Sequence, residues 1–160
     1  MSFKHPRPGP NFVPAYQVSG IPFVTSSASG EVPQADNTKA PIAVNFPCVT
    51  KFVTVNNTGT NDLRVAFTLS GSYAPSEVTE NNVTLSTNHP RNYFIIREQE
   101  AGGSMQSVTF DVRCKSIFFL ADNTGTTDFS LLAGLTSITG SQFPTLTGSI
   151  DGTDSFVGVG

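Results

Sequence analysis

Two stretches of this chain repeat one another at a constant offset of 66 residues, so a fold must give both of them equivalent places. Cys48-Val-Thr-Lys-Phe-Val-Thr-Val-Asn-Asn-Thr-Gly-Thr-Asn-Asp62 aligns with Cys114-Lys-Ser-Ile-Phe-Phe-Leu-Ala-Asp-Asn-Thr-Gly-Thr-Thr-Asp128. Cys48 matches Cys114, Phe52 matches Phe118, and Asp62 matches Asp128. Each copy is an apolar run, an Asn-Thr-Gly-Thr turn and a second apolar run, the pattern of two strands joined by a tight connection. Neither copy carries a group poised for catalysis, so the repeat is read as scaffold.

The length of 160 residues gives room for one domain with a real core and too little for two. Only 13% of residues are charged, about half the roughly 25% of an average globular chain, with Thr, Ser and Asn filling the polar positions. That mix suits sheets and argues against helices. The net charge of −3, with a pI near 5.2 and scattered basic residues, provides no broad footprint for nucleic acid. No apolar run approaches the ~20 residues that cross a bilayer, so no direct membrane insertion is expected. Met-Ser-Phe-Lys-His-Pro-Arg-Pro has charge without an apolar segment behind it, which is not a secretory signal, and the chain is expected to be soluble and made in a cytosol-like compartment.

Residues 1–40 read as an extended Pro-rich arm: His5-Pro-Arg-Pro-Gly-Pro10, Pro14, Pro22 and Pro33 oppose a helix. Phe12, Val13, Tyr16, Val18, Ile21, Phe23 and Val24 lie between the prolines, too apolar for a disordered linker. Such an arm is expected to lie across a surface, its own or a neighbour's, with Phe12, Tyr16, Ile21 and Phe23 as anchors. Removing residues 1–24 should then leave the remaining domain folded.

From Pro41 the signals are β throughout. Eight strands are expected near 41–46, 49–56, 62–70, 78–86, 92–98, 106–113, 115–121 and 127–136, followed by an extended Gly/Thr/Ser-rich tail over 137–160. Leu63, Val65, Phe67 and Leu69 alternate with polar or small residues, as do Val108, Phe110 and Val112, the period of a half-buried strand. Eight short strands in one domain, over 41–136, indicate an all-β, antiparallel β-sandwich, and the count suits a single jelly roll. Lettered B to I in order, a jelly roll puts B, I, D and G in one sheet and C, H, E and F in the other. The repeated units then become C–D and H–I, each crossing between sheets. An immunoglobulin-like sandwich would need the Cys–Trp–Cys signature, and the chain has no Trp. If the strands that begin with Cys48 and Cys114 lie antiparallel, the thiols sit at opposite ends and no disulfide forms.

Candidates for chemistry are few. His5 and His89 lack ligand spacing to each other or to a Cys, so no metal and no cofactor is expected. Glu98 and Glu100 flank Gln99 beside a Gly-Gly loop, where a solvated strand end outweighs a glycosidase pair. Asp151-Gly-Thr-Asp154 lacks the later ligands of a calcium loop. Asn56 and Asn82 begin acceptor patterns for glycosylation that an Asn/Thr-rich chain produces by chance. Asp62 and Asp128 are expected to accept hydrogen bonds from turn amides. The chain is not expected to be an enzyme.

Apolar excess is the more informative signal. Tyr93-Phe-Ile-Ile96 and Ile117-Phe-Phe-Leu120 are apolar on both faces, whereas a strand with one wet face alternates. Both fall in the predicted C-H-E-F sheet, whose outer face would show Phe94, Ile96, Phe118 and Leu120, with Phe52 nearby. Either the chain covers that face itself or a partner does.

The arm segment Arg7-Pro-Gly-Pro-Asn-Phe-Val-Pro-Ala-Tyr-Gln-Val-Ser-Gly-Ile-Pro-Phe-Val-Thr-Ser-Ser27, with its P-N-x-V-P-x-Y-Q-x-S-G-x-P run, resembles small capsid proteins of large icosahedral double-stranded DNA viruses. In that family a single jelly roll forms the five-fold vertex (the penton) or a minor component. The resemblance covers the arm and, loosely, the sandwich. It implies a structural protein of the virion, made in the host cytoplasm, that pairs with itself as a homopentamer and with neighbouring capsid proteins and has no catalytic residues. The alternative is a decoration or spike module that binds host or virion glycans; the absence of Trp and the dispersion of Tyr16, Tyr73 and Tyr93 weigh against it.

Overall fold

Period-two alternation along the chain resolves into two four-stranded antiparallel sheets. The structure, a computed structural model, describes residues 9, 11, 13–17, 20–35, 39–72, 79–80, 83–84, 92–98, 106–122 and 125–143. Strands β1 (Ile21–Ser26), β2 (Ile42–Asn45), β3 (Cys48–Asn57) and β4 (Leu63–Ala66) come first. A small hairpin follows, β5 (Thr79–Glu80) with β6 (Val83–Thr84), and then β7 (Phe94–Ile96), β8 (Gln106–Phe110), β9 (Ser116–Ala121) and β10 (Phe129–Thr139). One sheet has the order β1-β10-β3-β8 and the other β2-β9-β4-β7.

The two sheets pack as a sandwich because each has a continuous apolar inner face. Val53, Val55, Phe129, Leu131, Ala133 and Leu135 from the first meet Leu63, Val65, Ile96, Ile117 and Phe119 from the second in one buried cluster. Phe119 and Phe129 stack across the interior with ring centroids 4.1 Å apart. At the margin, Phe110 receives the edges of Phe67 and Phe94 at 5.8 and 5.4 Å, a favoured aromatic geometry.

Set the β5–β6 hairpin aside and letter the other strands B to I. The sheets then read B-I-D-G and C-H-E-F. Relative to the sequence reading, the letters B to E each move to the preceding strand, while F to I keep theirs. The B position belongs to Ile21–Ser26, from the segment assigned to the arm, and the expected strand at 78–86 is the separate hairpin instead. The chain therefore divides into two four-strand halves, β1–β4 and β7–β10, and the 66-residue repeat supplies the third and fourth strands of each.

The domain limits shift accordingly. The sandwich begins at Ile21 rather than Pro41, and β10 runs to Thr139 rather than 136, carried through two register shifts after Gly134. Pro22 hid β1 from the sequence reading. Its missing N–H is tolerated because β1 is an edge strand. Upstream, the short helix α1 (Pro14–Gln17) lies against β10 of its own chain. Tyr16 packs on a small second cluster of Val49, Ile138 and Phe143, with the Arg113 guanidinium 5.1 Å from its ring centre. Deleting residues 1–24 would therefore remove most of a sandwich strand, and a truncation that spares the fold has to stop ahead of Pro14.

Candidate assembly surface

The side chains named above as partner contacts separate into different environments. Phe12 lies outside the described residues. Tyr16 is engaged with Val49 and Ile138, and Phe23 turns inward, its ring edge-on to Phe46 at 5.2 Å. Ile96 is a core residue, because it pairs with Leu63 on the inner face of its sheet. Phe94 stays 47% exposed, but its row is also the inner one, where it caps the sandwich edge against Phe110. Phe118 points outward between Ala43 and Ala66 and is half-buried. Leu120 also points outward, yet it is fully buried. Ile21 remains 58% exposed.

Leu120 is hidden because the chain covers the outer face of β2-β9-β4-β7 itself. The 3-10 turn at Ser70–Ser72 sits against β4 and β9. Arg64, opposite Leu120, is buried with its Nε 2.5 Å from Asp122, a further bond to the Ser72 carbonyl, and its guanidinium 4.5 Å from the centre of the Tyr93 ring. Among the described residues, the cover on this face comes from Ser70–Ser72 and Tyr93. Tyr16 and Tyr93 are both occupied by arginines, and Tyr73 lies outside the described residues, so no open tyrosine platform for a sugar ring is formed among the described residues.

The outer face of β1-β10-β3-β8 is different. Its strand register builds three rows: Pro22–Gly134–Phe52, then Val24–Leu132–Thr54–Thr109, then Ser26–Ser130–Asn56–Ser107. None of these residues is charged; Lys51 falls in the irregular register beside Phe52, outside the rows. Val24 is 73% exposed and Leu132, directly across from it, 43%. Phe52 lies flat on Gly134, where an added Cβ would come within 2.4 Å of its ring. Two polar pairs bond across the strands: the Thr54 and Thr109 hydroxyls are 2.9 Å apart, and the Asn56 amide donates to Ser130 at 3.1 Å. That bond also ties up the Asn56 nitrogen of the first glycosylation pattern; Asn82 lies outside the described residues.

At one end of the sandwich the two repeated turns lock together. Asn57 is fully buried, and its two amide hydrogens serve the carbonyls of Asn61, Ile96 and Arg97 at 2.9, 3.1 and 3.1 Å. Its oxygen accepts from the Gly59 N–H and from the Thr127 hydroxyl, both at 3.1 Å. Asn61, also of the first copy, donates its amide to the Thr126 carbonyl of the second at 2.7 Å. Gly59 has no space for a side chain, since a Cβ would lie 2.5 Å from the Asp128 nitrogen. Asp62 and Asp128 accept amide hydrogens from Glu98 (2.8 Å) and from the turn residue Gly30 (2.7 Å). Arg97 adds an ion pair to Asp62, and Ser27 a hydroxyl to Asp128.

The cysteines correct a second expectation. Thr50, two residues beyond Cys48, lies 3.3 Å from Cys114 Sγ and accepts the Cys114 N–H at 2.9 Å. The two copies thus start at the same end, because β3 and β9 belong to different sheets and are not antiparallel neighbours. Both thiols are free. Burial pushes the Cys114 thiol up from 9.0 to about 11, with the Thr50 hydrogen bond opposing part of the shift. As pH rises, the unfolded chain releases this proton first. The group's contribution to stability is intact below about pH 9 and declines toward pH 11, by at most about 1.4 kcal/mol per pH unit. Denaturation midpoints at pH 8 and pH 10 check this: Cys114→Ala should show a smaller fall than the native sequence. A cleft of about 210 Å³ beside Cys114, walled by Phe67, Leu69 and Phe118, is smaller than the roughly 300–1,000 Å³ of small-molecule sites.

Among the described residues, no group of three or more His, Cys, Asp or Glu is placed to hold a metal ion, and no helix is long and apolar enough to cross a membrane. Glu98 is at the end of β7 with its backbone engaged by Asp62, while Glu100, His5, His89 and Asp151–Asp154 lie outside the described residues. Set against known families, curated proteins and solved structures, the chain matches none.

Proposed function

We propose that this chain is a structural subunit of a virus particle, a single jelly roll of the penton or minor-capsid kind that associates with itself and with neighbouring capsid proteins. The observation that carries the reading is the strand order, B-I-D-G facing C-H-E-F, entered from an N-terminal segment that resembles those capsid proteins. The uncharged, partly apolar outer face of the first sheet supports an assembling role. In this reading the work is done by burying surface, without cofactor or catalysis, and the protein resides in the virion.

The expected result of native mass measurement is a five-fold species for a vertex subunit. Removing residues 1–12, ahead of α1, should leave the melting temperature nearly unchanged while abolishing incorporation into particles. Normal incorporation of that truncated chain would take the N-terminal segment out of the mechanism. Absence of the full chain from purified particles would end the proposal.

A further inference from the structure

We infer that the cleft beside Cys114 is the seat of the chain's own C-terminal tail, residues 144–160, and that it takes the ring of Phe156. Size selects the class of occupant. A cavity of about 150 Å³ lined by Leu, Ile and Phe holds a benzene molecule, so a cleft of about 210 Å³ has room for one aromatic side chain. Phe67, Leu69 and Phe118 supply apolar walls, and Leu69 is left 55% exposed. A ring laid there takes the water off a side chain that the sandwich leaves wet.

Three observations single out the tail. The first is where it starts. After β10 the chain turns through Gly140–Gln142, and a Cβ on Gly140 would lie 3.7 Å from the Cβ of Lys115, a wall of the cleft. Thirteen residues lead from Phe143 to Phe156, the single aromatic residue of 144–160. Their extended reach of roughly 40 Å is ample to cross a cleft that Gly140 already borders. The second is charge: residues 144–160 contain Asp151 and Asp154 and no Lys or Arg, whereas Cys114 lies between Arg113 and Lys115. The third is the internal repeat. At its offset of 66 residues, Cys114, Lys115 and Phe118 correspond to Cys48, Val49 and Phe52. That corner is closed by chain from outside the repeat: Val49 is fully buried, with Tyr16 and Phe143 packed against it. Among the described residues, the Cys114 corner keeps an open cleft instead.

The test is nuclear magnetic resonance of the full chain beside Phe156→Ala. Phe156 follows the last sandwich strand in sequence, so the variant should fold, as its melting temperature will show. In the native chain the Phe156 ring protons should show nuclear Overhauser contacts to the Leu69 methyls, and the ring should shift those methyls upfield. Phe156→Ala should move them back downfield. A mixture of isotope-labelled and unlabelled chain distinguishes a chain's own tail from that of a second copy. Leu69 methyls that do not respond to Phe156→Ala, or contacts that arise only between different copies, overturn the inference. The contact needs no other subunit, and the capsid reading is judged apart from it, by whether the chain is present in purified particles.

Discussion

Replacing Asn57 with leucine is expected to lower the unfolding free energy by about 3–5 kcal/mol, because it strands buried groups at about 1–3 kcal/mol each. The Ile96 carbonyl and the Gly59 N–H lose a partner in a buried site, while the Thr127 hydroxyl and the Asn61 carbonyl, which also lose Asn57, keep the 2.8 Å bond between them. Total stability of a domain this size is roughly 5–15 kcal/mol, so the variant should be only marginally folded. Aspartate is no remedy. It keeps an acceptor for Gly59 and Thr127 but turns a second oxygen toward three carbonyls. Urea denaturation reads both variants; a shift of the midpoint by less than the equivalent of about 1 kcal/mol would mean that the interlocked turns contribute little.

The second large effect is Phe119→Ala. Phe119 is fully buried and stacks on Phe129 from the opposite sheet, so truncation leaves a cavity between the layers. The expected cost is about 3–5 kcal/mol. Phe118→Ala, one residue earlier, is the control: its ring points out of the sandwich and is half-buried, so it should cost distinctly less. Equal losses at the two positions would contradict the assigned faces.

The architecture was legible where side chains alternate cleanly. Leu63 and Val65 point inward with Arg64 outward between them, and Val108 and Phe110 join the core, as period two requires. Alternation says which way a side chain points but not what lies over it. Arg64 looked solvated and Leu120 looked like an exposed contact, yet both are buried under the chain's own Ser70–Ser72 and Tyr93 region. β1 was missed because a proline-rich context resembles an arm until a partner strand is known, and that partner, β10, lies over a hundred residues away. The apolar patch was consequently sought on the wrong sheet. Val24 and Leu132 become neighbours only through strand pairing, which no local window contains.

That pairing also has a consequence for synthesis. β1 has a single strand neighbour in its sheet, and that neighbour is the last strand of the sandwich. A ribosome adding roughly 5–20 residues per second takes on the order of 5–20 s to travel from one to the other. Throughout that interval the leading strand of a nascent chain has nowhere to dock. On crowded polysomes several such unpaired strands would be present together, so shielding β1 until β10 has been made would favour maturation over clumping.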